Sequence, residues 1–380
     1  MFRGRSANKF SNGSCTEHKD PDKDLDKKHK NGTLHVVFIS LLLDLIGFTI
    51  ILPLLPSILD YYRVHDENGL YSYLMAKINV IQGILGTPEK FNSVLFGGMI
   101  GSLFSLLQFT SSPIIGALSD IYGRRKILII TTVGIALSYV VWGLSKTFSL
   151  FVLARIIGGI CKGNVSLSTA IVTDVSTQKT RGRGMAMVGI AFSVGFIVGP
   201  IIGAIVSKRY EDYGTVPSII AMTLSIINII FIAVSLEETL PENRRTLSIS
   251  TSMNTAFGYI NPKSLFTFQP INDISKLGGF VRRIPPGKEI MAAIMMKMMC
   301  WKYVSATSCV VPCLTTVASS CGSVGEKGTV MGIFRSIGAL ARAIGPIFAS
   351  IGYWSLGPTL SYSIGGLLLF IPMFMLRSVK

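Results

Sequence analysis

Residues 116–126 read Gly-Ala-Leu-Ser-Asp-Ile-Tyr-Gly-Arg-Arg-Lys and lie between two long apolar stretches. The turn carries one carboxylate and three cations, with a glycine at its start and another before the cations. Positive residues concentrated in a short connector between apolar spans mark the cytoplasmic side of a membrane protein. The stretch therefore predicts an all-α protein that crosses a membrane several times.

The composition favours a bilayer as the environment of most of the chain. Of its 380 residues, 49% are hydrophobic and 15% are charged, and the mean hydropathy is +0.53. The formal net charge of +16 would suggest nucleic acid as the partner of a soluble protein, but the basic residues fall mostly in the N-terminal tail and in the connectors. We interpret them as a topology signal, with the lipid bilayer as partner and no nucleic acid.

Six apolar runs of roughly 20 residues, the length that a helix needs to cross the hydrocarbon core, follow a polar tail. Residues 1–33 hold too few apolar positions to offset the entropy of ordering and are predicted to be a disordered cytoplasmic tail. Residues 34–236 are predicted to form a complete six-helix half. Its helices are predicted at 34–59, 93–115, 127–145, 149–174, 185–207 and 216–236.

The second half is predicted to be a shortened copy of the first. A cation-glycine turn at Arg181 leads into Gly199-Pro200, and the same arrangement recurs 146 positions later, at Lys327 and Gly345-Pro346. Residues 237–289 are predicted to be a cytoplasmic loop between the halves, and residues 290–380 a truncated C-terminal half. Only three further spans are credible, which gives about nine in all and indicates an internal deletion. These spans are predicted at 300–321, 329–350 and 358–376.

Four segments in chain order resemble motifs of the major facilitator superfamily, and in particular of its tetracycline-transporter-like animal members. They are residues 43–49 (Leu-Asp-Leu-Ile-Gly-Phe-Thr), 116–126, 155–166 and 195–203. The resemblance implies two halves of parallel six-helix repeats and secondary transport of a small solute by alternating access. The N-terminus and the basic connectors then face the cytoplasm.

The resemblance implies a gating role for the loop at 116–126. In the family the carboxylate and the first arginine hold neighbouring helices together, and these positions correspond to Asp120 and Arg124. Asp174, at the predicted cytoplasmic end of the fourth helix, is a candidate partner. The alternative is that the cations only determine topology. The candidate gating residues are Gly116, Asp120, Gly123, Arg124, Arg125 and Asp174.

The fifth predicted helix carries glycines at Gly195, Gly199 and Gly203, with Pro200 among them. The pattern resembles a family motif associated with exchangers and departs from it at Ala204. Small residues at every fourth position also allow helices to pack closely. The motif therefore indicates either antiport or helix packing alone.

Several polar side chains fall near the middle of predicted spans, where a charge costs roughly 3 kcal/mol or more in lipid. They predict a wet cavity that attracts organic anions, with Asp44 as a candidate proton acceptor. The resemblance links Arg155 to proton coupling. The alternative is that the charges pair with each other. The candidate cavity residues are Asp44, Gln108, Arg155, Lys162, Asn164 and Arg342.

Other function classes find little support in the sequence. All four histidines lie in or beside tails and loops, without a catalytic or metal-binding constellation, so no enzyme is expected. Cys309 and Cys313 are one helical turn apart but lack a third ligand, so neither a metal site nor a cofactor is predicted. The competing hypothesis is a transport-inactive or interaction-only membrane protein, because the deletion removes much of one half.

Overall fold

The computed structural model describes residues 21–66, 69–85, 92–178, 180–210, 214–242, 245, 315–316, 318–319 and 326–368. These ranges contain no β-strand. The helices with bounds inside them are α1 (Pro21–Thr49), α2 (Leu55–His65), α3 (Leu70–Leu85), α4 (Asn92–Tyr122), α5 (Arg124–Gly143), α6 (Phe148–Cys161), α7 (Asn164–Val175), α8 (Arg181–Tyr210), α9 (Thr215–Ser235) and α10 (Lys327–Leu368).

Seven helical segments of the described chain are long and apolar enough to cross a membrane. They are Gly32–Thr49, Phe96–Tyr122, Arg124–Gly143, Phe148–Val175, Arg181–Tyr210, Thr215–Ser235 and Lys327–Ala349. The expectation of an all-α, multi-pass protein is therefore confirmed. The total of nine spans stays a prediction, because most of the predicted span at 300–321, together with Cys309 and Cys313, lies outside the described residues.

The first predicted helix, at 34–59, is displaced in the structure. Helix α1 begins at Pro21, so part of the tail predicted to be disordered is helical. Extending an existing helix avoids the cost of nucleating a new one, which explains the longer start. The helix ends at Thr49, and α2 begins at Leu55 after a turn that contains Pro53. Proline has no backbone N–H to continue the helix ladder.

The two last predicted spans, 329–350 and 358–376, are not separate helices. Helix α10 is continuous over 42 residues, from Lys327 to Leu368. At 1.5 Å per residue it is about 63 Å long, which exceeds the roughly 40–45 Å of a bilayer with its head groups. The last predicted span begins at Pro358, but in the structure α10 runs through that residue.

The described residues form two buried apolar clusters. One contains the rings of Tyr62, Tyr71, Phe96 and Phe148. The other is mostly aliphatic and includes Leu41, Leu45, Leu128, Leu167 and Ile171. Many isoleucine, leucine and valine side chains on the outer surface are exposed, as expected for helices that face lipid.

The glycines of α8 lie against α1. A Cβ atom at Gly199 would overlap the Thr49 hydroxyl and come within 2.9 Å of the Ile46 carbonyl oxygen. Gly195 approaches α1 in the same way at Leu45, and Gly203 lies against the Ile50 carbonyl in the turn that follows α1. Thr49 Oγ1 donates a hydrogen bond of 2.9 Å to the Gly195 carbonyl. The contacts support the packing interpretation of this motif, while its link to antiport stays a prediction.

We predict that Gly199→Ala lowers the melting temperature of the purified protein, because overpacking costs about 1–3 kcal/mol. Gly182→Ala is a matched control on the same helix, since nothing lies within 4 Å of a Cβ there. Alanine favours a helix over glycine, so the control should leave the melting temperature unchanged or raised. Thermal unfolding in detergent measures both. Equal shifts in the two variants would contradict close α1–α8 packing.

Candidate functional site

The fourth predicted helix is broken at mid-membrane. Lys162 and Gly163 separate α6 from α7, and a Cβ atom at Gly163 would lie 2.5 Å from the Ile115 side chain. Glycine therefore permits the close approach of α4 at the break. The side chain of Gln108 on α4 donates a hydrogen bond of 3.1 Å to the Lys162 carbonyl. Backbone groups released by a break inside a membrane need such a partner.

An ion pair joins this break to α1. Lys162 Nζ lies 2.7 Å from Asp44 Oδ2, and both side chains are buried. Asn164 Nδ2 donates to the second carboxylate oxygen, Asp44 Oδ1, at 3.1 Å. The amide of Asn164 is fixed in turn by Thr131, whose hydroxyl donates to Asn164 Oδ1 at 2.9 Å. Each oxygen of the carboxylate therefore has a donor.

The network continues to α10. Arg342 Nη2 donates to Gln108 Oε1 at 3.0 Å, while the other end of the Gln108 amide holds the Lys162 carbonyl. Gln108 therefore bridges the helix break and the last described helix. The structure brings five of the six candidate cavity residues into one chain of contacts: Asp44, Gln108, Lys162, Asn164 and Arg342.

Arg155 lies outside this chain of hydrogen bonds. Its guanidinium carbon is 5.5 Å from the Trp142 ring centre and 5.6 Å from that of Phe151. Together with Lys162 it lines a cavity of about 10 Å³. That volume accommodates roughly one water molecule, so this space is too small for a solute in this conformation, and the wet cavity stays a prediction.

A second charged cluster joins α4, α5 and α7. Arg124 Nη1 lies 2.6 Å from Asp120 Oδ1, and Arg124 Nε lies 3.0 Å from Asp174 Oδ2. The Asp120 and Arg124 residues are completely buried. Lys327, at the start of α10, approaches the other Asp174 oxygen at 3.6 Å. The structure thus brings together three of the four charged residues that the sequence proposed for gating: Asp120, Arg124 and Asp174.

The Asp120 carboxylate also receives the first turn of α10. Its Oδ1 accepts the Gly328 N–H at 3.0 Å, and its Oδ2 accepts the Thr329 N–H and hydroxyl, each at 2.7 Å. An anion is favoured at a helix N-terminus because the free N–H groups and the helix dipole both point at it. We call Asp120, Arg124, Asp174, Gly328 and Thr329 the latch.

Two glycines of the loop at 116–126 have steric roles. A Cβ atom at Gly116 would overlap the Gly328 carbonyl, so Gly116 lets α10 approach α4 closely enough to reach Asp120. Gly123 has a φ of 101°, a backbone conformation that other residues rarely adopt. It turns the chain between α4 and α5. Arg125 contributes through its side chain, which donates to the Ala233 carbonyl at 2.5 Å.

Glu238 is a residue that the sequence reasoning missed. Its carboxylate accepts the Arg124 N–H at 2.9 Å and the Arg125 N–H at 3.3 Å, so it caps the start of α5 from the segment after α9. Its Oε1 also accepts the Leu240 N–H at 3.1 Å. Glu237 and Glu238 are adjacent in the sequence, and no local pattern distinguishes the one that reaches α5.

We predict that Asp120→Asn opens the α4–α10 contact more often, because hydrogen bonds to charged groups contribute about 1.5–3 kcal/mol. The reporter is Ser112→Cys in a chain without other cysteines, since Ser112 is buried at this contact and its hydroxyl has no partner. Labelling of the cysteine by maleimide should be about tenfold faster than in the parent. Asp60→Asn, at an exposed carboxylate, is the control. An unchanged labelling rate in Asp120→Asn would contradict the latch.

Removal of the Glu238 side chain should lower the melting temperature. Glu238→Ala leaves two N–H groups of α5 without their acceptor, and loss of a helix cap typically costs about 0.5–2 kcal/mol. Glu242→Ala is the comparison, because that side chain is exposed and pairs only with Arg245 among the described residues. Similar melting curves for the two variants would show that the cap adds no stability.

Comparisons with known proteins agree with this architecture. The model of the Major Facilitator Superfamily matches residues 37–306. Major facilitator superfamily domain-containing protein 10 of Bos taurus is 35% identical over 451 aligned positions, and the alignment covers 97% of each chain. The Homo sapiens protein of the same name is 35% identical over 428 aligned positions, which cover 91% of this chain and 92% of the human one. The crystal structure of the human organic anion transporter MFSD10 (TETRAN) superposes with a TM-score of 0.73 at 34% identity, covering 91% of this chain and 99% of that one. The chain therefore belongs to the major facilitator superfamily, whose members are transporters rather than enzymes.

Proposed function

We propose that this protein is a secondary transporter of small organic anions that works by alternating access, with protons as the coupling ion in antiport. The observation that carries the proposal is the buried Asp44–Lys162 pair at the break between α6 and α7. Ionisable residues inside a membrane are costly and typically mark substrate or proton pathways. The related human protein is described as an organic anion transporter, which supports an anionic solute.

Proton coupling follows from the chemistry of this pair. Protonation of the Asp44 carboxylate removes its negative charge and releases Lys162, which then carries an unpaired positive charge. Antiport requires that the proton and the solute occupy the carrier in alternate steps, so the anion is carried while Asp44 is deprotonated and paired with Lys162. Protonation of Asp44 serves the return step, in which the proton crosses in the opposite direction.

The latch supports alternating access. It joins α4 to the first turn of α10 through buried hydrogen bonds to Asp120. Rocking of one half against the other would break these contacts at one end of the molecule and close the opposite end. We assign this end and the N-terminus to the cytoplasm, because Arg124, Arg125 and Lys126 lie in the loop.

A transport-inactive or interaction-only form is the second candidate. The alignment with the bovine relative runs over 451 positions, more than the 380 residues of this chain, so it contains gaps in this sequence. This length difference favours an internal deletion, which we place in the second half. A half that lacks several helices would leave a transport pathway incomplete.

Vesicle uptake distinguishes the two candidates. The purified 380-residue protein is reconstituted in liposomes, a pH gradient is imposed, and uptake of 2-naphthalenesulfonate is followed by its fluorescence. This anion stays ionised, so it does not cross lipid as a neutral acid. Uptake driven by a gradient with the lumen acidic supports anion–proton antiport, because protons leave as the anion enters, and uptake that is the same with and without the gradient overturns the coupling. No uptake in either condition favours the inactive form.

We predict that Asp44→Asn destabilises the protein by about 3–5 kcal/mol, because it leaves Lys162 charged, buried and unpaired. The double variant Asp44→Asn/Lys162→Gln removes both charges and should recover most of the melting temperature. Neither variant should retain uptake driven by a pH gradient. Gradient-driven uptake at the parent rate in the double variant would refute the coupling role of the pair.

A further inference from the structure

Arg155 is a buried cation to which the described part of the chain offers no carboxylate. The residue is 7% exposed, and its Nε atom has no hydrogen-bond partner. Its neighbours include the rings of Trp142 and Phe151. Cation–π contacts offset part of the cost of desolvation but do not neutralise the charge. A counter-charge from outside the protein would do so.

Other cations near the centre of the described chain either have a polar partner or do not line the cavity. Lys162 is paired with Asp44 at 2.7 Å. Arg342 donates to Gln108 and therefore has a polar partner. Arg335 lies over the Phe192 ring at 5.2 Å, but it does not line the cavity. Arg155 thus combines an unneutralised charge with access to an internal space.

The walls of that space combine apolar rings with a few polar groups. Besides Arg155 and Lys162 it is lined by Phe48, Phe104, Ile135, Ser138, Tyr139 and Gly158. Its volume of about 10 Å³ suits a small group rather than a whole solute. A solute with an apolar body fits only when the rings around the cavity move apart.

We propose that Arg155 binds the carboxylate or similar oxyanion head group of the transported solute in this cavity, and that Lys162 does not. The planar guanidinium matches such a head group, because it can donate two parallel hydrogen bonds. The rings of Phe48 and Phe104 then contact the apolar body of the solute. This assignment rests on the proposed transport of organic anions and adds to it the residue that recognises the anion.

Trp142 provides a direct optical test because its ring lies beside the Arg155 guanidinium. The chain has three tryptophans, so Trp301→Phe and Trp354→Phe leave Trp142 as the single emitter. This full-length variant is titrated in detergent at pH 7 with cyclohexanecarboxylate, which does not absorb at the wavelengths used. Cyclohexanecarboxamide is the neutral analogue, and sodium chloride tests a simple inorganic anion. We expect a saturable fluorescence change with the carboxylate alone.

Substitutions then identify the residue that binds the anion. Arg155→Gln should weaken carboxylate binding at least about tenfold, the usual effect of losing a charge-assisted hydrogen bond. Arg155→Lys keeps the positive charge but loses the planar group with two parallel donors, so it should bind with intermediate affinity. This variant also gives a readout if Arg155→Gln folds poorly. Arg63→Gln, at an exposed arginine outside the cavity lining, is the matched control and should change the affinity by no more than about twofold.

Three results would overturn the assignment. They are equal responses to the carboxylate and the carboxamide, an equal response to chloride, or parent-like carboxylate affinity in both Arg155 variants. A purely structural Arg155 would lower the melting temperature without changing the preference for carboxylate over carboxamide. The titration needs no transport: binding through Arg155 without vesicle uptake would refute the proposed function only, and uptake with Arg155-independent binding would refute this inference only.

Discussion

An ionised side chain at membrane depth must find its partners within the protein, because hydrocarbon offers neither counter-ions nor hydrogen bonds. This constraint fixes both charged clusters. The two Asp44 oxygens are held by Lys162, in the helix break, and by Asn164, at the start of α7. The two Asp120 oxygens are held by Arg124 and by the start of α10. Each carboxylate therefore determines where a neighbouring helix can lie.

Helix α4 connects the two clusters. Gln108 and Asp120 are twelve residues apart on it, about 18 Å along a helix. Between them, α10 lies close to α4, where Gly332 packs against the Ser112 backbone and Ser336 donates to the Phe109 carbonyl at 2.6 Å. A displacement of α10 would disturb the contacts of both clusters, so the central ion pair and the latch are mechanically linked.

Sequence reasoning predicted much of this arrangement, and its errors have physical causes. Hydropathy located the spans of the first half, because a run of about 20 apolar residues is typical of a membrane helix. It did not show the break at Lys162, because the apolar pattern continues through it. The Asp44–Lys162 pair was only one of the alternatives, since residues 118 positions apart reveal no proximity in a single sequence. Glu238 was missed for the same reason, because its partner Arg124 is 114 positions away.

The way in which Asp120 binds α10 determines whether this contact survives a deletion elsewhere in the chain. Two of its bonds go to backbone N–H groups, which every residue other than proline provides, so the interaction demands little of the side chains it meets. The strictest requirement of this interaction is for residues without a side chain at Gly116 and Gly328, where α4 and α10 touch. A shortened C-terminal half retains this contact as long as it contains the first turn of α10. The stability of the α4–α10 contact and the completeness of the transport pathway are therefore separate properties. A deletion can leave the contact intact and still make the pathway incomplete.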